Sequence, residues 1–185
     1  SHIDIKQQGT MLQYHSVSLE EITGLVHGAM FTRGPEDLRS TAIFIGGSDV
    51  AAGEVMLEKV LGTFFGPIRV SVMLDASGAN TTAAAAVVAA GRHVDLSKTT
   101  AMVLAATGPV GQRAARLLAG AGSKVFVGSR KQSRADQAVE QLSKAVDGAS
   151  LEALETSDVS TVSDKLQTCE LVIAAGDAGI QLLSG

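Results

Sequence analysis

The segment from Ala106 to Gly111, Ala-Thr-Gly-Pro-Val-Gly, lies between an apolar run, Thr100 to Ala105, and a helical stretch, Val110 to Ala121. A buried strand must therefore turn sharply into a helix at this point. In such a turn Gly108 lets the backbone approach a ligand, and Gly111 lets the helix pack closely on the strand. Pro109 suits an early helical position, and the free N–H groups of the first turn make an anion site. Ala106 stands where the pattern G-x-G-x-x-G has its first glycine, so the turn has to form without a residue of positive φ there. Behind it, Val110, Ala114, Leu117, Leu118 and Ala121 form an apolar stripe for packing on a sheet, with Gln112, Arg113 and Arg116 on the solvated face. A lone G-x-x-G is an ordinary turn. With a strand before it and a helix behind it, the segment reads as the phosphate loop of a Rossmann-type domain, with Thr107, Gly108, Pro109, Val110 and Gly111 as cofactor-binding candidates.

Strands and helices alternate around this loop. Ser18-Leu19-Glu20-Glu21 is a helix-start signature for a helix reaching about His27. Thr41–Ile45 reads as a strand, and a helix capped near Ser48 or Asp49 carries Val50, Val55, Met56, Val60 and Leu61. Ile68–Leu74 is a second strand and Asn80–Ala90 an alanine-rich helix. After the polar stretch 92–98 the pattern restarts with strands at Thr100–Ala105, Lys124–Val127, Ser150–Glu155 (weak) and Leu171–Ala174, and helices at Val110–Ala121, Ser133–Val146 and Asp158–Gln167. Apolar strands separated by helices predict an α/β fold of two open parallel-sheet units. The expected domains are an N-terminal α/β unit, residues 1–95, and a Rossmann-type NAD(P)-binding unit, residues 96–185, lacking its last strands.

About 20 residues beyond the loop, NAD-specific domains place an acidic residue on the ribose hydroxyls. That place holds Gly128-Ser129-Arg130-Lys131. A carboxylate would repel a 2′-phosphate, whereas Arg130 and Lys131 can pair with it and Ser129 can donate to it, so the cofactor expected is NADP; Arg134, one turn on, can add to the pairing.

Several other chemistries find no support. A net charge of −4 without blocks of like charge, and aromatics at only 3%, argue against nucleic-acid or membrane-surface partners and for a small molecule. Cys169 has no partner for a disulfide, which fits a reduced, cytoplasmic compartment, and no stretch has the length and apolarity of a membrane span. His2, His15, His27 and His93 are scattered without metal-ligand spacing, so no metal is expected, and no nucleophile elbow or Walker loop is present.

Further motifs carry a family resemblance. Thr32-Arg33-Gly34, Ser40 to Gly47, Ala51-Ala52-Gly53-Glu54, Phe64-Phe65-Gly66-Pro67, Met73-Leu74-Asp75, Ala79 to Ala85, Thr107 to Gly111 and Gly176-Asp177-Ala178-Gly179-Ile180 stand at fixed spacings from about Val17 onward. Together they resemble the NADP-dependent methylene-tetrahydromethanopterin dehydrogenases of methylotrophic bacteria. The resemblance implies that the methylene bridge of a reduced pterin gives a hydride to NADP⁺, leaving a methenyl cation, a step that needs orientation more than a general base. It also implies that the turn Asp75 to Thr81 faces the pterin, making Asp75, Ser77, Asn80 and Thr81 substrate candidates; as a plain turn it would be a helix cap made by Asn80 or Ser77. Ala175 and Gly176, closing the last apolar run, join the cofactor candidates, and no catalytic residue is assigned. The family's opening is not recognisable in Ser1–Gln13, and its last third has no counterpart after Ser184-Gly185, so an exposed sheet edge and a homo-oligomer are expected. The alternatives are a methylene-tetrahydrofolate or shikimate-type dehydrogenase, which shares the two-domain plan, and an NADP-binding protein without turnover.

Overall fold

The computed structural model describes residues 10–177 and 179–182; His2, Ala178, Ser184 and Gly185 lie outside them. Contacts divide the chain into two compact units, one running up to Ile45 and including Ala51–Leu74, the other comprising Gly46–Val50 and the residues from Asp75 onward.

In the first unit, helix α1 (Ile22–Phe31) leads through a 3-10 turn, Pro35–Ser40, to strand β1 (Ala42–Ile45), helix α2 (Val50–Thr63) and strand β2 (Ser71–Leu74). The Ser18–Glu21 signature is realised, since the Glu21 carboxylate accepts from both the amide and the hydroxyl of Ser18 at 2.8 Å. Helix α1 runs a turn further than its sequence indicated, because Met30 continues the buried series Ile22 and Val26. The strands pair in parallel, from Ala42↔Ser71 to Ile45↔Leu74. Strand β2 begins later than Ile68 because Ile68 closes a bridge with Phe65 instead of entering the sheet. Helix α2 buries Gly53 and Val60, while Val55 and Leu61 face outward.

The second unit contains helix α3 (Ala79–Ala90), strand β3 (Thr100–Leu104), helix α4 (Pro109–Gly120), strand β4 (Lys124–Ser129), helix α5 (Gln132–Ala145), strand β5 (Ser150–Glu155), helix α6 (Val159–Leu166) and strand β6 (Leu171–Ala174). The four strands are parallel in the order β5-β4-β3-β6. Side chains of a strand alternate between faces, and here both faces are covered. Ala101, Val103, Val125 and Val127 pack with Ala114, Ala115 and Leu118 of α4, Ala138 and Leu142 of α5, and Ala83 and Val87 of α3. On the opposite face Met102, Leu104 and Phe126 meet Leu154 and Val162, with α6 covering them. Burying each of these larger side chains contributes about 1.5–3 kcal/mol before the entropy of ordering it is subtracted.

The core stripe of α4 differs from the one expected. Gly111, Ala114, Ala115, Leu118 and Ala119 face inward, whereas Leu117 is exposed. Small residues let the helix lie close to the sheet, so the least bulky line of the helix, and not its most hydrophobic one, becomes the contact. The strand read as weak, β5, is a full six-residue partner of β4.

Candidate functional site

Strand β3 is followed at once by a residue with a left-handed backbone, Ala105 at φ 55°. The turn thus takes its positive φ one residue before Ala106, at a cost of about 1–2 kcal/mol for a residue with a Cβ. Backbone bonds hold the conformation. The Ala106 amide donates to the Gly128 carbonyl at 2.8 Å, and the Gly108 amide donates to the Ala105 carbonyl at 3.1 Å. Each glycine of the site has its own reason. A Cβ at Gly111 would stand 2.5 Å from the Ala105 oxygen, and one at Gly128 would stand 2.8 Å from the Val103 oxygen, so the fold itself excludes side chains at both. Gly108 is different: its φ of −80° suits any residue, and among the described residues a Cβ there would meet only the Ala105 oxygen, at 3.4 Å. The protein does not need the bare backbone at Gly108, whereas a ligand lying against it would.

Helix α4 starts beside this open surface, with Gly108 at its cap position, Pro109 first in the helix and no described side chain capping it. The Gln112 amide closes the first turn onto the Gly108 carbonyl at 2.9 Å, and its side-chain amide donates to the Thr107 carbonyl at 3.1 Å. The remaining first-turn amides supply the anion-binding end of a helix. The site lies where the sheet order reverses, since β3 has β4 on one side and β6 on the other. On the β6 side, Ala175 donates to the Leu104 carbonyl at 3.1 Å, which fixes the Ala175-Gly176 backbone next to the end of β3.

At the end of β4, Ser129 is buried and Arg130 and Lys131 are exposed. Lys131 occupies the cap position of α5, which has neither a described side-chain cap nor an acidic residue in its first turn. Three cations, Arg130, Lys131 and Arg134, gather at the positive end of a helix dipole, an arrangement that an anion would relieve. Arg134 and Thr107 line one groove of about 240 Å³ together with Gln112, Gln137, Ala138 and Gln141.

The turn read as substrate-facing belongs to the same unit. Asp75 accepts from the amides of Asn80 (3.0 Å) and Thr81 (3.1 Å), and from the Thr81 hydroxyl (2.7 Å). It is therefore Asp75 that caps α3, not Asn80 or Ser77, because Ser77 and Gly78 take left-handed backbones at φ 52° and 65° that swing the helix start under the carboxylate. Desolvation pushes the Asp75 carboxyl up, but the bonds from Thr81 and Asn80 and the charge of Arg113 hold it below the usual aspartate value. Ser77 ties the turn down, its amide donating to the Gly47 carbonyl at 2.7 Å and its hydroxyl to the Ser48 carbonyl at 2.8 Å.

Arg113 departs from the sequence reading. Half-buried, it donates through Nε to Asn80 Oδ1 at 2.7 Å and through a terminal nitrogen to the Pro109 carbonyl at 2.9 Å, so it bridges α3 and α4. Its partner Asn80 is 33 residues away, so no local pattern in the sequence pointed to the contact.

A second groove, about 270 Å³, lies between β5, α6 and Gln132 and is lined by Glu152 and Lys165. Glu152 pairs with Lys165 and Lys124, and its carboxyl is held low first by the Lys165 hydrogen bond. Burial raises the Cys169 thiol, which donates to the Lys165 carbonyl, so it is poorly suited to act as a nucleophile. Among the described residues no His, Cys, Asp and Glu cluster can hold a metal ion, and no helix is long and apolar enough to cross a membrane.

Comparison with known proteins follows the same division. Residues 8–77 match the family model of the methylene-tetrahydromethanopterin dehydrogenase N-terminal domain, and residues 100–182 match that of the coenzyme F420-dependent NADP oxidoreductases. The bifunctional protein MdtA of Methylorubrum extorquens is 44% identical over 174 residues, 92% of this chain and 59% of that protein. The NAD(P)-dependent methylenetetrahydromethanopterin dehydrogenase of the same organism is 26% identical over 189 residues, 95% of this chain and 61% of that protein. The chain thus spans about three-fifths of the length of these relatives. Residues 8–77 thus resemble the N-terminal domain of the methylene-tetrahydromethanopterin dehydrogenases, and the chain as a whole is similar to both relatives.

Proposed function

We propose that the protein takes part in one-carbon metabolism as an oxidoreductase, moving a hydride from the methylene bridge of methylene-tetrahydromethanopterin to NADP⁺. The observation that carries this reading is the pairing of a bare, unobstructed backbone at Gly108 with the three-cation, uncapped start of α5. The first suits a pyrophosphate and the second a 2′-phosphate. The cofactor would be held by Thr107, Gly108, Pro109, Val110 and Gly111, by Ser129, Arg130 and Lys131, and by Ala175 and Gly176. Residues 1–95 would form the pterin-side domain and 96–185 the NADP-binding domain, with α3 packed on the latter.

NADP⁺, when bound, supplies the hydride acceptor. The carbon that loses hydride becomes a cation shared by two nitrogens, and no proton leaves it, so the chain needs no general base there. Asp75, Ser77, Asn80 and Thr81 would shape the pterin side. Their hydrogen bonds hold the turn rigid, and the Asp75 carboxylate, kept ionised at neutral pH, has the sign that favours a cationic product. A cytoplasmic homo-oligomer is the form we infer.

NADPH formation followed by absorbance, with methylene-tetrahydromethanopterin and methylene-tetrahydrofolate offered separately, tests the reading. Turnover of the pterin substrate supports it, and a signal with the folate alone would overturn it. Tight NADP⁺ binding by calorimetry with no hydride transfer on either substrate would instead establish a binding protein without turnover.

A further inference from the structure

We propose that Arg113 is a positioning residue that locks the turn at Asp75 to the first turn of the phosphate-loop helix, so that the two sides of the site move as one body. The helices it joins share one cluster, in which Ala83 and Val87 of α3 lie with Ala114, Ala115 and Leu118 of α4. With three of these five side chains alanine, the contact has few interdigitating knobs to resist sliding. A directional polar clamp at one end fixes its register.

Arg113 has the geometry of such a clamp. Its Nε donates to Asn80 Oδ1 at 2.7 Å while a terminal nitrogen donates to the Pro109 carbonyl at 2.9 Å, so one planar group grips both helices at their starts. Asn80 is in turn fixed by its amide bond to Asp75 at 3.0 Å, and Ser77 anchors the same turn to the carbonyls of Gly47 and Ser48. The result is a continuous path from the 47–48 backbone through the Asp75 turn to Pro109, which follows Gly108. Lysine, whose donors all sit on one nitrogen at the end of a flexible stem, lacks the separated, planar donors of this two-way grip.

The role in cofactor binding rests on the NADP reading above, but the clamp itself is tested without ligand. Amide hydrogen exchange is compared for the wild type, Arg113→Lys, Arg113→Gln and Asn80→Ala. Arg113→Gln and Arg113→Lys are expected to speed exchange about tenfold at Asn80 and Thr81 and in segment 108–112, with the 124–129 strand unchanged. Asn80→Ala should give the same loss, and the double variant Asn80→Ala with Arg113→Gln no more than either alone. NADP⁺ titrations should show the same pattern, with affinity falling about fivefold in each single variant. Wild-type exchange at Asn80 and Thr81 in Arg113→Gln, full rescue by Arg113→Lys, or additive single effects would each overturn the proposal. A wild type that binds no NADP⁺ would overturn the cofactor reading, and the exchange comparison would still decide the role of Arg113.

Discussion

The carbonyl oxygen of Ala105 lies 2.5 Å from the point that a Cβ on Gly111 would occupy. Both partners of that contact are fixed, one by the end of β3 and the other by α4. Alanine at position 111 would gain about 1 kcal/mol of helix propensity, but the backbone clash outweighs it. Gly111→Ala is expected to lose a net 1–3 kcal/mol or so, read by chemical denaturation. A variant as stable as the wild type would show that the loop does not approach the helix this closely.

Gly108→Ala should behave in the opposite way. Its backbone tolerates a side chain and a Cβ finds ordinary contact distances, so stability should stay within about 1 kcal/mol of the wild type. NADP⁺ affinity should fall about tenfold or more, because the new methyl would occupy the surface proposed for the pyrophosphate. Calorimetry beside a melting curve separates the two effects.

Arg130→Asp combined with Lys131→Ala should cost NADP⁺ about 10- to 100-fold in affinity while leaving NAD⁺ nearly unchanged. Both side chains are exposed and stand outside the core, so folding should not suffer. Equal losses for the two nucleotides, measured by titration, would remove the 2′-phosphate role.

These contrasts mark what was legible in the sequence. The alternation of apolar runs and helical stripes identified each described strand and α-helix; the signal is strongest at β3 and β4, which are buried on both faces, and weaker at β5, which is only half-buried. Its failures have local causes. The 3-10 turn at Pro35–Ser40 has no periodicity to read, and Leu117 looked like core because hydrophobicity was ranked above the closeness that Gly111 and Ala115 permit. In the site, the glycine spacing revealed the loop, but nothing in the spacing told Gly108 from Gly111. Only the surrounding atoms separate a glycine needed by the fold from one free to face a ligand. The clamp at Arg113 was illegible for a related reason, since its partner Asn80 is distant in sequence and each looks like an ordinary surface residue alone.

The α6 cap offers a test by pH. Hydrogen bonds from the Ser160 hydroxyl, then from the Thr161 hydroxyl and amide, pull the Asp158 carboxyl from 3.8 down to about 2. Its folded pKa is below its unfolded value, so the stabilisation is complete above the ordinary aspartate range and is lost as pH falls through about 2. Asp158→Ala should melt several degrees lower than the wild type at pH 7, and the gap should close between pH 4 and 2 as read by thermal scans at stepped pH. A gap independent of pH would mean that the carboxylate charge has no part in the cap.

The place of β3 in its sheet also sets a timetable for assembly. Its pairing with β4, in the register Thr100↔Lys124, closes a short stretch of chain, whereas its pairing with β6, Ala101↔Leu171, must wait for a much longer one. The wall of the proposed nucleotide site formed by Gly128 and Ser129 is expected to become protected early in refolding, and the proposed wall at Ala175 last. Pulse-labelled exchange can time the two, and simultaneous protection would contradict this order. If it holds, newly made chains pass through a state in which the loop between β3 and α4 exists but is walled on one side only, and nucleotide binding reports the completion of folding rather than its onset.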